Sequence, residues 1–176
     1  MSTTSSPQDT HRLAGTRWRL DPSGSSAEFR APYVWGLASV KGRLQPLDGG
    51  LEVDEDRQWR MELTVDAASL DTGNRRRDRH LQSAAFFGVE QHPTLRFRSS
   101  SVIDHGGGRL QVEGELEAAG ERTRLQVDVT VVHAAGGLDV DAAATVDRRQ
   151  LGMTWSPLGV IGTTAALSIH ARLRHD

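Results

Sequence analysis

From Thr16 onward the chain alternates apolar and polar residues with a period of two, and this rhythm decides what it can fold into. Trp59, Met61, Leu63, Val65 and Ala67 alternate with Arg60, Glu62, Thr64 and Asp66. The same phase recurs in Leu110–Ala118, in Leu125–Val131, in Leu138–Ala144 and in Ala165–Leu173. Successive side chains of a strand point to opposite faces, so such runs are half-buried antiparallel strands, apolar inside and polar outside. Weaker strands are expected at 16–20, 25–31, 38–46, 49–54 and 94–103. Turn signals lie between the runs: Asp21-Pro22-Ser23-Gly24, Asp48-Gly49-Gly50, Gly106-Gly107-Gly108, Ala119-Gly120 and Gly136-Gly137. The short links predict an antiparallel meander that buries its apolar face as a sandwich or as a closed barrel.

Two segments break the period. Arg75 to Phe87, after the cap-like Asp71, Thr72 and Asn74, carries helical spacings and predicts a short helix across one end of the sheet. Ala31 to Leu37, with Pro32 and Gly36, predicts a helical turn. Residues 1–15 are polar, rich in Ser and Thr and without periodicity, which predicts a disordered tail before a single domain over 16–176. No basic start followed by an apolar core precedes that domain, and the expectation is a cytoplasmic protein.

Several chemistries lack their residues. With 0 Cys there is no disulfide, thiol nucleophile or zinc–thiolate site. The seven His residues form no HExxH pair, and no GxSxG elbow, GxxxxGK[ST] loop or GxGxxG turn occurs. No catalytic residue, cofactor or metal is therefore assigned. A net charge of −2 speaks against nucleic acid as a partner. No apolar run approaches the roughly 18–20 residues of a membrane span. Arg75-Arg76-Arg77-Asp78-Arg79 has two readings: a cation cluster for an anionic head group, or a solvated helix face with Asp78 as a local cap. The loop Gly152 to Gly162, carrying Met153 and Trp155, either lines a lipophilic cavity or plugs a barrel end.

A set of short segments occurs in a fixed order over about residues 16–174. They are Trp18-Arg19-Leu20-Asp21-Pro22-Ser23 with Ala27-Glu28-Phe29, Val40-Lys41-Gly42-Arg43-Leu44, and Ala68-Ser69-Leu70-Asp71-Thr72 leading to Arg77-Asp78-Arg79-His80-Leu81. Phe86-Phe87-Gly88-Val89, His92-Pro93-Thr94-Leu95-Arg96-Phe97, Gly114-Glu115-Leu116 and Asp147-Arg148-Arg149-Gln150-Leu151-Gly152-Met153 follow. In this the chain resembles the YceI-like family of lipocalin-like, polyisoprenoid-binding proteins. The resemblance implies an all-β fold, an extended eight-stranded antiparallel barrel with one short helix and a helical turn. It further implies a pore for a long lipophilic chain, such as a polyisoprenoid, a prenyl quinone or a fatty-acid derivative.

On that basis the tail of the ligand is expected along Phe29, Val65, Phe97, Leu116, Val129, Leu167 and Ile169. Tyr33, Trp35, Phe86, Phe87, Met153 and Trp155 are expected at the mouth, with Arg77, Arg79 and His80 as head-group candidates. Small inward residues, among them Ala142, Ala144, Ala165 and Ala171, would make room for the chain. Two other functions stand beside binding: an isoprenoid-modifying enzyme using His80 and Asp78, and a packed barrel acting as a stress or partner-binding module. The oligomeric state is left open by the sequence, and exposed strand edges or the apolar mouth could supply the contact of a homodimer.

Overall fold

The alternating runs become the staves of one closed antiparallel barrel. A computed structural model describes residues 10–176 and contains strands β1 (Thr16–Tyr33), β2 (Ala38–Val53), β3 (Trp59–Asp71), β4 (Thr94–Asp104), β5 (Arg109–Ala118), β6 (Glu121–Ala134), β7 (Gly137–Asp147) and β8 (Thr164–His175). One helix, α1 (Arg75–Gln82), joins β3 to β4. Each strand pairs with the next in sequence, and β8 returns to pair with β1. Closure leaves the barrel no free edge, so the strand-edge dimer contact that the sequence left open has no edge to use.

Burial follows the sequence rhythm most cleanly in β5 and β6. Leu110, Val112, Leu116, Ala118, Leu125, Val127, Val129 and Val131 are all buried, and their polar neighbours face out. Ten expected strands become eight because two turn signals are irregularities inside long strands. Asp21 to Gly24 lies within β1, whose pairing with β8 shifts register between Asp21 and Ser26. Ser25 Oγ repairs that gap: it donates to Asp21 O at 2.7 Å and accepts the Arg172 N–H at 3.0 Å. Asp48-Gly49 marks a similar shift between β2 and β3. Such bulges bend long strands, as barrel closure requires.

Two glycines let aromatic rings lie flat against the wall. Phe29 pairs directly with Gly42 on β2, and a Cβ at Gly42 would come within 2.3 Å of Phe29 Cε1. A Cβ at Gly114 would come within 2.5 Å of Phe97 Cζ.

The two ends of the barrel differ. Leu13 ends a 3-10 turn (Thr10–Leu13), is 1% exposed and joins Leu20, Leu51, Val53, Leu110, Leu138 and Leu173 in one core cluster that closes one end. Residues 1–9 of the expected tail lie outside the described residues, whereas Leu13, within the stretch read as tail, is core. At the other end stand α1, the 83–93 loop, the β1–β2 hairpin tip and the 148–163 connection. The helix stops at Gln82, short of the expected Phe87, where Ser83 takes an extended backbone. The expected helical turn at Ala31–Leu37 is instead strand through Tyr33, then a tight turn with Val34, Trp35 and Gly36 at φ 53°, 51° and 85°.

Candidate ligand-binding cavity

Inward strand phase normally means full burial, yet Met61, Leu63, Phe97, Val140, Ala142, Ala144, Leu167 and Ile169 are only partly buried. Their remaining accessible area opens onto an interior cavity of about 420 Å³ that all eight residues line. The cavity reaches from Leu20, Leu51, Val112 and Leu173 near the closed end to Tyr33, Phe86, Phe87, Trp155 and Ile161 at the other. Its size falls in the range of small-molecule sites, about 300–1,000 Å³, and its wall is overwhelmingly apolar.

The structure brings most of the candidates to this space. Phe29, Tyr33, Val65, Phe86, Phe87, Phe97, Leu116, Val129, Trp155, Leu167 and Ile169 line it, as do Arg77 and His80. Trp35 does not: it sits on the outer tip of the β1–β2 hairpin, 69% exposed. Met153 is buried among the core side chains without bordering the cavity, and Arg79 is exposed on α1.

The start of α1 is a closed set of bonds. Asn74 Oδ1 accepts the Arg76 and Arg77 N–H groups at 3.1 Å, capping the helix. Asp78 Oδ1 accepts both the Thr72 N–H at 2.9 Å and the Thr72 hydroxyl at 2.6 Å. Arg77 in turn donates from Nε to Thr72 Oγ1 at 2.8 Å and from Nη2 to Thr72 O at 2.9 Å. Arg77 and Asp78 thus fix how the chain leaves β3 and enters the helix. One turn later, the His80 ring meets Trp155 edge-on at 4.5 Å and Phe86 at 5.3 Å, tying α1 to the loop after β7.

Arg148 is the cavity-lining cation that spacing and composition do not reveal. It is 7% exposed and faces four carbonyls rather than a carboxylate. Nε donates to Gly162 O at 2.7 Å, Nη2 to Ile161 O at 3.1 Å, and Nη1 to Met153 O and, at 3.4 Å, to Trp155 O. One guanidinium therefore pins both limbs of the 152–163 loop, and burial pulls its pKa below the ordinary arginine value. Its neighbour Arg149 takes the nearby carboxylate. Arg149 Nη2 lies 2.7 Å from Asp147 Oδ2, and the Arg149 side-chain hydrogen bonds hold Asp147 down at about 2. The signal was present in the run Asp147 to Met153, but two adjacent arginines look alike until one is seen to turn inward. Among the described residues, no group of three or more His, Asp or Glu side chains is placed to hold a metal ion.

Comparison with known proteins matches this architecture. A UPF0312 protein of Vibrio cholerae is 29% identical over 119 residues, covering 65% of this chain and 62% of that relative. A UPF0312 protein of Serratia proteamaculans is 31% identical, covering 65% of this chain and 61% of its own. The chain thus spans somewhat less than two thirds of the length of these curated relatives. Among solved structures, Burkholderia cenocepacia BcnA superposes with a TM-score of 0.75 at 17% identity, over 87% of this chain and 98% of that one. A domain from Saccharophagus degradans, described as polyisoprenoid-binding and implicated in plant cell wall breakdown, gives 0.70 at 14% identity, over 90% of this chain and 98% of that one. At such identities the likeness is one of fold. The family itself is settled by sequence, because the YceI-like domain model matches residues 18–173, from the first strand to the last, and the chain belongs to that family.

Proposed function

We propose that this barrel binds a long-chain lipophilic molecule, of the polyisoprenoid, prenyl quinone or fatty-acid type, inside its cavity and acts as a binding protein rather than an enzyme. The observation that carries this reading is the cavity, which runs between inward side chains that would otherwise be fully buried. Each buried CH₂ contributes about 0.8 kcal/mol, so about twelve give roughly 10 kcal/mol gross. Association takes back at least about 4 kcal/mol, so twelve groups leave about 6 kcal/mol, binding in the range of tens of micromolar, and each further buried CH₂ tightens it. Arg77 and His80 border the same space; Arg77 gives Nε and Nη2 to Thr72, so its Nη1 and the His80 ring are what these two residues offer a polar head group.

The enzyme reading asks His80 and Asp78 for acid–base chemistry, but Asp78 Oδ1 is already engaged twice by Thr72. The packed-module reading asks for a filled interior. Native mass spectrometry of the purified protein, followed by organic extraction, tests all three. The expected result is a co-purifying lipophilic mass that is released intact. A bare protein that also fails to take up a fluorescent fatty acid or a prenyl alcohol overturns the proposal, and turnover of the extracted lipid assigns the barrel to catalysis.

A further inference from the structure

We propose that the open end of the barrel docks onto the surface of an anionic lipid bilayer, with Trp35, Leu37 and Leu158 entering the interface and Arg75, Arg76 and Arg79 meeting the head groups. Trp35 is 69% exposed, Leu37 85% and Leu158 89%. They do not lie scattered over the surface. The hairpin tip and the 152–163 loop are bonded to each other, through Trp35 N–H to Val160 O at 3.3 Å and Gly162 N–H to Pro32 O at 2.8 Å, with a bridge between Tyr33 and Ile161. The three side chains therefore form one rim on one end of the molecule.

The backbone under this rim is unusual. Val34, Trp35 and Leu158 all have φ in the left-handed region, at 53°, 51° and 54°, which L side chains rarely adopt. Strained tips that carry large apolar side chains into solvent gain nothing from the protein's own packing. A soluble monomer rarely shows a contiguous apolar patch without a surface to receive it.

Charge selects the surface. Trp155, 45% exposed, connects the rim to α1 through the His80 ring at 4.5 Å, so the arginines of α1 flank the same end. Arg75, Arg76 and Arg79 are exposed and form no ion pair among the described residues. Apolar tips beside unpaired arginines match the acyl boundary and the anionic head groups of a bilayer. Tyr33, Trp155 and Ile161 line the cavity from the same two segments, so docking would set the cavity mouth against the lipid. The inference rests on the lipid-binding reading for its purpose only, and its test does not depend on that reading.

The test is co-sedimentation of the full chain with phosphatidylcholine vesicles, with and without phosphatidylglycerol. The protein is expected to pellet with the anionic vesicles, and less so as salt rises. Leu37→Ser with Leu158→Ser should reduce that partitioning about tenfold or more. Arg75→Gln with Arg76→Gln should remove the preference for phosphatidylglycerol and most of the salt dependence. Both double variants should melt like the unmodified chain. Wild-type protein that stays in the supernatant with anionic vesicles overturns the proposal, as does a dimer seen by light scattering that Leu37→Ser with Leu158→Ser converts to monomer without any effect on lipid. The two readings separate through Ala144→Trp, which should pellet as the wild type does while losing uptake of a fluorescent fatty acid. Uptake by a wild-type protein that ignores vesicles would overturn the docking and leave the cavity function standing.

Discussion

Replacing Arg148 by Met removes the guanidinium donor from four carbonyls, of which Ile161 O keeps only a long bond from Ser156 Oγ at 3.4 Å, while leaving an unbranched apolar chain in much of the same space. The carbonyls belong to Met153, Trp155, Ile161 and Gly162, on both limbs of the loop that follows β7. Buried hydrogen bonds to a charged group contribute about 1.5–3 kcal/mol each. The bond to Trp155 is long, at 3.4 Å, and several of the loop residues are solvent-exposed, so part of what is lost is recovered from water. Relief of a buried positive charge offsets a further share. The net loss is about 3 kcal/mol, or a drop in Tm of about 6–12 °C for a chain of this size. Arg148→Lys separates charge from geometry. An ammonium retains the charge but cannot reach carbonyls on both limbs as a planar fork does, so it should recover only a minor part of the loss. Thermal melts followed by circular dichroism give the magnitude, and amide exchange locates it: the Ile161 N–H on Ser156 Oγ and the Gly162 N–H on Pro32 O should exchange faster. A Met variant within about 0.5 kcal/mol of wild type, or a Lys variant equal to it, would show that the loop does not depend on the four-carbonyl bond set.

Three further outcomes follow from the same geometry. Leu116 is 8% exposed and pairs across the ladder with Phe97, so Leu116→Ala should lower stability by about 2–5 kcal/mol in chemical denaturation, and a loss below about 0.5 kcal/mol would refute the inward phase of β5. Ala144 lines the cavity between Val127 and Leu167, so Ala144→Trp should abolish uptake of a fluorescent fatty acid by a protein that still folds; unchanged uptake would refute the path drawn for the ligand. Asp147 has its pKa lowered from 3.8 to about 2, so its contribution to stability is present above about pH 4 and is lost as pH falls through about 2. The stability gap between wild type and Asp147→Asn should close over that window, and a gap that is constant with pH would assign the effect to the cap bond on Arg149 N–H alone.

Local pattern carries β5 and β6 almost residue for residue, because the two pair without a register shift and each buries one face against the barrel interior. It fails where local chemistry has two uses. Asp-Pro-Ser-Gly at 21–24 and Asp-Gly-Gly at 48–50 have the composition of turns, and only pairing with the neighbouring strands shows that each is an irregularity within a longer strand. Tyr33 and Trp35 are two residues apart in an aromatic stretch, yet one lines the cavity and the other points into solvent, because the backbone turns left-handed between them. Arg148 and Arg149 part company for a similar reason. Asp147 can satisfy only the nearer fork, and the other arginine turns to the carbonyls of a loop whose path no local rule specifies.

The seam between the first and last strands constrains how the molecule comes into being. Ser25 and Arg172 share a hydrogen bond although 147 residues separate them, and Ala27 pairs with Ile169. Until the final strand has left the ribosome, β1 has one side of its ladder unfilled, and the apolar interior stands open along its whole length. Folding therefore ends on its most distant contact, the slowest kind to form, with an unpaired edge exposed in the meantime. Released chains truncated before Thr164 should depend on chaperones and present a cleavable β1, whereas chains that carry all 12 residues of β8 should close the sheet and protect that strand.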